Sequence, residues 1–135
     1  MKIMIAALLS SALVYSAAAE DVSSRIKTET LLQSTASWDG TQYKAYPAGQ
    51  PKITVLKITI AANTVMNWHS HPFPNAGYVL SGELTLEKKD GTTQRFVAGQ
   101  AIAETVDSVH RGVIGAKPVV LIVFYSGTSD LPLSY

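Results

Sequence analysis

From Leu31 onward the chain is a series of short apolar and β-branched runs cut by Gly, Pro, Asp and Asn. That is the pattern of strands bounded by turns. No stretch beyond residue 30 carries a helical period of convincing length. Leu31–Ser37 reads as a first strand and Tyr43–Tyr46 as a second, closed by Pro47. Lys52–Ile60 alternates, with Leu56, Ile58 and Ile60 on one face and Val55, Lys57 and Thr59 on the other. Tyr78–Lys88 is a longer strand, bent or bulged at Ser81-Gly82. Asp90-Gly91 supplies a hairpin turn into a return strand, Thr93–Val97. A turn at Ala98-Gly99-Gln100 follows, and Ala101–Thr105, His110–Ile114 and Val119–Tyr125 complete the set. Residues 20–30 are polar and read as a loose arm. No repeat and no low-complexity segment stands out. The pattern predicts an all-β sandwich or barrel. A small barrel of this kind can hold one ligand or one metal in its mouth.

The N-terminus changes the compartment. "MKIMIAALLSSALVYSAAAE" carries one charge at Lys2, an apolar run from Ile3 to about Tyr15, and small residues at Ala17–Ala19. This is the three-part build of a secretory signal peptide, expected to be cleaved after Ala19. The alternative is a membrane anchor, but the run falls short of the roughly 20 residues that span a bilayer. The expected organisation is a signal peptide at 1–19, an arm and first strand at 20–37, and a single domain at 38–135. With no twin arginine, the general export route in an unfolded state is expected. The mature protein is expected free of the membrane, in a periplasm or outside the cell. Without Lys2 the chain has ten basic side chains against the same ten acidic ones. That balance argues against nucleic acid or an anionic membrane as a partner. Cysteine is absent, so any metal must be held by histidine, carboxylate or amide groups.

The chain has three histidines, and two of them stand in "HSH" at His69 and His71. On a strand, residues i and i+2 point to one side. If His110 lies on a neighbouring strand with the same orientation, three imidazoles converge. Three neutral imidazoles suit a divalent transition metal and leave positions open for water or substrate. The alternative is a pair of exposed or structural histidines on a loop. Trp68 should point away from His69 by the same alternation.

The surroundings of these residues resemble the cupin superfamily. After His69-Ser70-His71 come Pro72, Phe73 and Pro74, then Asn75 where the family's first motif has a glutamate, with Gly82 further on at the motif's glycine. "GYVLSGELTL" resembles the cupin strand that follows the ligands. In the second motif Gly99 matches the first glycine and His110 falls at the ligand position, while Thr105 and Asp107 replace a proline and a glycine. The resemblance runs from about Lys52 to Tyr125. It implies a double-stranded β-helix, an RmlC-like jelly-roll barrel. It also implies a metal on His69, His71 and His110, of zinc, manganese, iron, nickel or copper type, and a small-molecule ligand or substrate. Pairing into homodimers through sheet edges and N-terminal strands is a further implication, with residues 20–37 as the exchanging arm.

The asparagine is the main departure. An amide carbonyl can ligate, but it brings no charge, so a divalent ion is less well neutralised. The metal then sits on three histidines plus water, or another carboxylate substitutes, or the site is a plain pocket, with Asn75 itself a weak fourth ligand. Glu104, in the otherwise apolar "AIAET", is the candidate substitute. Turned inward it could bind the metal, orient a histidine or act as a base. Turned outward it is an ordinary rim glutamate. Glu83 reads as rim, Asp107 as a turn residue, and Arg111 as outward-facing. Tyr78 or Tyr125 could supply a phenol near the metal. Cupins include oxygenases, isomerases, lyases and non-catalytic modules that bind sugars or other small molecules, and the fold does not choose among them.

Overall fold

The structure, a computed structural model, describes residues 25–135. The expected signal peptide and residues 20–24 of the arm lie outside the described residues. Seven strands form among the described residues: β1 (Pro51–Ile60), β2 (Asn75–Ser81), β3 (Glu83–Lys88), β4 (Thr93–Val97), β5 (Ala101–Ala103), β6 (His110–Val113) and β7 (Val119–Thr128). They make two antiparallel sheets. One runs β1-β7-β2-β5 and the other β4-β3-β6. Residues 65–69 extend the second sheet by bridges Val65↔Val113 and His69↔His110. The architecture is the jelly-roll β fold. No described helix is long and apolar enough to cross a membrane.

The core lies between the sheets and comes from alternate positions of each strand. Val79, Leu84, Leu86, Phe96, Ile102 and Val119 are each at most 5 % exposed. Burying one such side chain stabilises the fold by about 1.5–3 kcal/mol. In β1 the inward set is Leu56, Ile58 and Ile60, and Val55, Lys57 and Thr59 face out, as the alternation predicts. The outer face of the larger sheet stays apolar as well, with Ile53, Val55, Leu80 and Phe124 exposed.

The long strand expected at Tyr78–Lys88 is two strands in different sheets. Gly82 makes the crossing at φ +78°, and a Cβ there would stand 2.3 Å from the Pro118 carbonyl oxygen. Only glycine takes that conformation at so close an approach.

The strands expected at Leu31–Ser37 and Tyr43–Tyr46 do not form. The structure has instead a closed loop over residues 35–43, pinched by the bridge Ala36↔Gln42. Polar side chains capture the donors and acceptors that a ladder would need. Ser34 Oγ donates to the Ala36 carbonyl at 2.6 Å, and Asp39 Oδ1 accepts from the Thr41 N–H at 3.0 Å. The loop then fastens to both sheets. Trp38 N–H donates to the Ala103 carbonyl at 2.8 Å beside β5, and Asp39 pairs with Lys88 Nζ at 2.7 Å at the end of β3.

Candidate metal centre

His69 and His71 lie on an extended segment that precedes β2 and is not itself a strand. Pro72 and Pro74 lack the N–H that a ladder needs, and of the two histidines only His69 bridges to a strand. Its N–H and carbonyl both bond to His110, each at 2.9 Å. A reciprocal antiparallel pair of this kind puts both side chains on one face of the ladder. Phe73, 1 % exposed, anchors the segment against Gly127 of β7.

The three imidazoles meet there. Ring centroids are 4.5 Å apart for His69 and His110, 5.1 Å for His69 and His71, and 5.3 Å for His71 and His110. One ring nitrogen from each lies within 4.8 Å of the others, so the group could hold a metal ion. His71 and His110 are buried and His69 is half-buried.

Backbone carbonyls set the ring orientation. His69 Nδ1 meets the Asn67 carbonyl at 2.9 Å, His71 Nδ1 meets that of Leu133 at 2.7 Å, and His110 Nδ1 meets that of Ser108 at 3.0 Å. A carbonyl only accepts, so each Nδ1 carries the proton. In the neutral ring Nε2 then holds the free lone pair. A hydrogen bond on one ring nitrogen fixes which nitrogen binds a metal.

Glu104 turns inward. It follows β5, its side chain is 12 % exposed, and its Oε2 stands 3.3 Å from His110 Nε2. It is not among the groups whose ligand atoms share the 4.8 Å span, so it borders the cluster on the His110 side. Asn75 is inward and 5 % exposed, opposite Tyr125 in the ladder. Its Nδ2 donates to the Phe73 carbonyl at 3.3 Å, and its buried Oδ1 has no partner. Tyr125 packs its ring 5.8 Å from that of His71. Tyr78 is not brought to the cluster. Along β2 the inward positions are Asn75, Gly77 and Val79, and Tyr78 stands on the opposite face.

Burial and the one carboxylate shape the electrostatics. Burial pushes the His71 pKa below its ordinary value, against the Leu133 carbonyl and the Glu104 charge. The ring is thus neutral at neutral pH. Burial also acts to lower His110, but the Glu104 carboxylate beside it wins and raises its pKa. Burial and then Glu104 raise the Tyr125 phenol. Burial, then Glu104, Asp39 and Tyr46, push Tyr43 up to about 12.

The neighbours of the histidines face outward. Arg111 stacks on Trp68, 4.3 Å from the ring centroid, and pairs with Glu87. Glu83 pairs with Arg95 on the surface. Asp107 serves through its backbone, at φ 55°, donating to the His71 carbonyl at 2.9 Å.

Four supporting residues gave no signal in the sequence. Thr105, fully buried, holds its Oγ1 2.9 Å from His110 Nδ1. Leu133 gives a carbonyl from a segment that also pairs Tyr135 with Ser70. Tyr43 donates its hydroxyl to the Glu104 carbonyl at 2.7 Å. Trp38 fixes Ala103 next to it.

Residues 56–125 match the family model Cupin_2, described as a cupin domain. No curated protein matches the chain in sequence. Among solved structures, the DMSP lyase DddQ of Ruegeria pomeroyi superposes with a TM-score of 0.53 at 16 % identity, covering 59 % of this chain and 41 % of that one. A cupin-like protein of Thermotoga maritima gives a TM-score of 0.53 at 16 % identity, covering 62 % of each chain. The chain therefore spans less than two thirds of the length of either protein, and at such identity the likeness is one of fold. The family match covers all three histidines, and the chain belongs to the cupin-domain family.

Proposed function

We propose that this cupin holds a divalent transition metal on Nε2 of His69, His71 and His110 and acts through it on a small polar molecule. The observation that carries the reading is that all three Nδ1–H groups are committed to backbone carbonyls, which leaves the three Nε2 lone pairs free in rings whose ligand nitrogens lie within 4.8 Å of one another. The orphaned, buried Oδ1 of Asn75 beside them fits a cation or a bound ligand better than an apolar filling. Zinc, manganese, iron, nickel and copper all suit three imidazoles. When bound, such an ion supplies Lewis acidity or oxygen activation. The protein's own part is to keep His71 neutral, to keep the Tyr125 phenol protonated as a donor, and to place one carboxylate at the His110 side. A cleft of about 440 Å³ lies between the loop residues 41–47, Pro72, Pro74 and the turn 106–108, next to the histidine segment though lined by none of the three imidazoles. Its size suits a small molecule.

The reaction class (oxygenase, isomerase or lyase) follows from the identity of the metal. The test is elemental analysis of protein recovered from the periplasm, where an N-terminus at Glu20 is expected. One equivalent of metal that is lost in His69→Ala supports the reading. A metal-free wild type, or a variant that keeps its metal, refutes it.

A second reading is a binding module without turnover. The neutral Asn75 favours it, as does a groove of about 340 Å³ lined by Leu32, Tyr43, Tyr46 and Phe124 on the outer side of the barrel. Metal-free protein that still binds a sugar or other small molecule would decide for it. In either case we propose that two copies pair. Ile26, Leu31 and Leu32 of the extended arm, and the apolar outer face of the larger sheet, are uncovered in one copy.

A further inference from the structure

Two of the three histidines lock their rings locally. His69 Nδ1 and His110 Nδ1 each give a proton to a carbonyl two residues earlier, that of Asn67 and that of Ser108. His71 differs. Its Nδ1–H reaches the Leu133 carbonyl at 2.7 Å, across 62 residues of sequence. The orientation of this ring therefore depends on a segment that docks against it from elsewhere in the chain.

That segment is 131–135. It follows β7, and Leu131 and Leu133 are half-buried against the core. At Tyr135 it runs beside the histidines. The Tyr135 N–H donates to the Ser70 carbonyl at 3.0 Å, and its carbonyl accepts from the Ser70 N–H at 3.3 Å. Ser70 stands between His69 and His71, so the segment is tied to the backbone of the centre as well as to one of its rings. Little else holds it. Pro132, Ser134 and Tyr135 are exposed, and a short exposed stretch of this kind opens at low free energy. It also lies outside residues 56–125, the span of the family match. The chemistry gives the sign of a coupling. A docked carbonyl keeps the proton on His71 Nδ1 and leaves Nε2 free for a cation. A cation on Nε2 in turn draws electron density from the ring and makes Nδ1–H a stronger donor to Leu133.

We propose that residues 131–135 form a strap that positions His71 through the Leu133 carbonyl, so that docking of the strap and binding of the metal reinforce each other. Leu133 is a positioning residue, acting through His71. The inference rests on the reading of His69, His71 and His110 as a metal centre. Such a coupling is reciprocal: the factor by which the docked strap raises metal affinity is the factor by which bound metal favours docking.

The test pairs zinc affinity, measured by chelator competition, with amide exchange and imidazole 15N signals followed by NMR. Deleting residues 131–135 should weaken zinc binding by at least about tenfold. Saturating zinc should slow exchange of the Ser70 and Tyr135 amides of the wild type by a similar factor. In the metal-free deletion variant His71 should become a mixture of tautomers while His69 and His110 keep theirs. Val119→Ala, at the far end of β7, weakens the core without touching the strap and should leave zinc affinity within about twofold of wild type. If the deletion variant does not fold, removal of Tyr135 alone takes its place. It keeps Leu131 and Leu133 in the core, severs both bonds to Ser70 and should weaken zinc binding by at least about fivefold. Affinity within about twofold of wild type in the strap variant, an equal loss in Val119→Ala, or exchange at Ser70 and Tyr135 that ignores zinc overturns the strap while the three-histidine centre stands. A wild type that takes up no zinc, or zinc that survives in His69→Ala, refutes the centre, and the strap falls with it.

Discussion

Replacing Asp39 tests whether the 35–43 loop is held by charge. The Asp39 side chain is 2 % exposed and pairs with Lys88 Nζ at 2.7 Å. It also accepts from Ser37 Oγ at 2.6 Å and from the Thr41 N–H at 3.0 Å. Hydrogen bonds to a charged group contribute about 1.5–3 kcal/mol each when broken singly. These three share one carboxylate, so they do not add. Lys88 is 20 % exposed and can turn to water when its partner goes. That keeps the loss below the roughly 3–5 kcal/mol of a fully buried pair. Asp39→Ala should therefore cost about 2–3 kcal/mol, and Asp39→Asn, which keeps the shape and some of the bonds, about 1–2 kcal/mol. For a domain of this size the alanine variant should melt roughly 8–12 °C lower. The pH dependence separates charge from shape. Burial acts to raise the Asp39 pKa, but Lys88, Ser37 and Thr41 win and hold it far below the usual carboxylate range. In the unfolded chain it titrates at about 3.9. A carboxylate whose pKa is depressed by folding stabilises above the unfolded value and loses that contribution as pH falls toward the folded one. Denaturant unfolding of wild type and Asp39→Asn should show the full gap at pH 6, narrowing steadily below about pH 4. A gap that does not change with pH, or one under about 0.5 kcal/mol at pH 6, refutes the account.

Gly82→Ala should lower stability by about 3–4 kcal/mol in urea titration, from left-handed strain plus collision with the Pro118 carbonyl. Gly99→Ala has a similar φ of +90° but open space around it, and should cost only about 1–2 kcal/mol. Equal losses at the two sites would rule out the close approach as the cause. Val55→Lys with Phe124→Lys, both on the exposed outer face, should convert a dimer to a monomer in light scattering, and a monomeric wild type would sink that proposal.

Periodicity made the barrel readable, because each core strand buries alternate residues and breaks at a turn residue. Lys52–Ile60 is the clearest case, with its faces assigned residue by residue. The meeting of the histidines was legible from the spacing of His69 and His71 and from His110 opening a strand, although the first two stand on an extended segment that is not a strand and only His69 bridges to His110. The 35–43 loop was not legible. Its conformation comes from Ser34 and Asp39 bonding their own backbone and from Lys88 far along the chain, and none of this leaves a period. Glu104 could be read either way, because one carboxylate at the end of an apolar strand looks the same pointing in or out. The Leu133 carbonyl was beyond reach altogether, since a backbone acceptor has no side-chain signature. Tyr78 and Tyr125 were indistinguishable until the strand register fixed their faces.

The crossing at Gly82 has a mechanical consequence. At that end of the barrel the two sheets are spaced by backbone against backbone, where Gly82 meets Pro118 and Val119. Such a contact has almost no compressibility. At the opposite end the sheets are spaced by side chains: the imidazole rings, the Glu104 carboxylate and the Asp39–Lys88 pair. The two sheets are therefore spaced by main chain at one rim and by polar side chains at the other, so the separation at the histidine rim depends on which side chains stand there while that at the Gly82 rim does not.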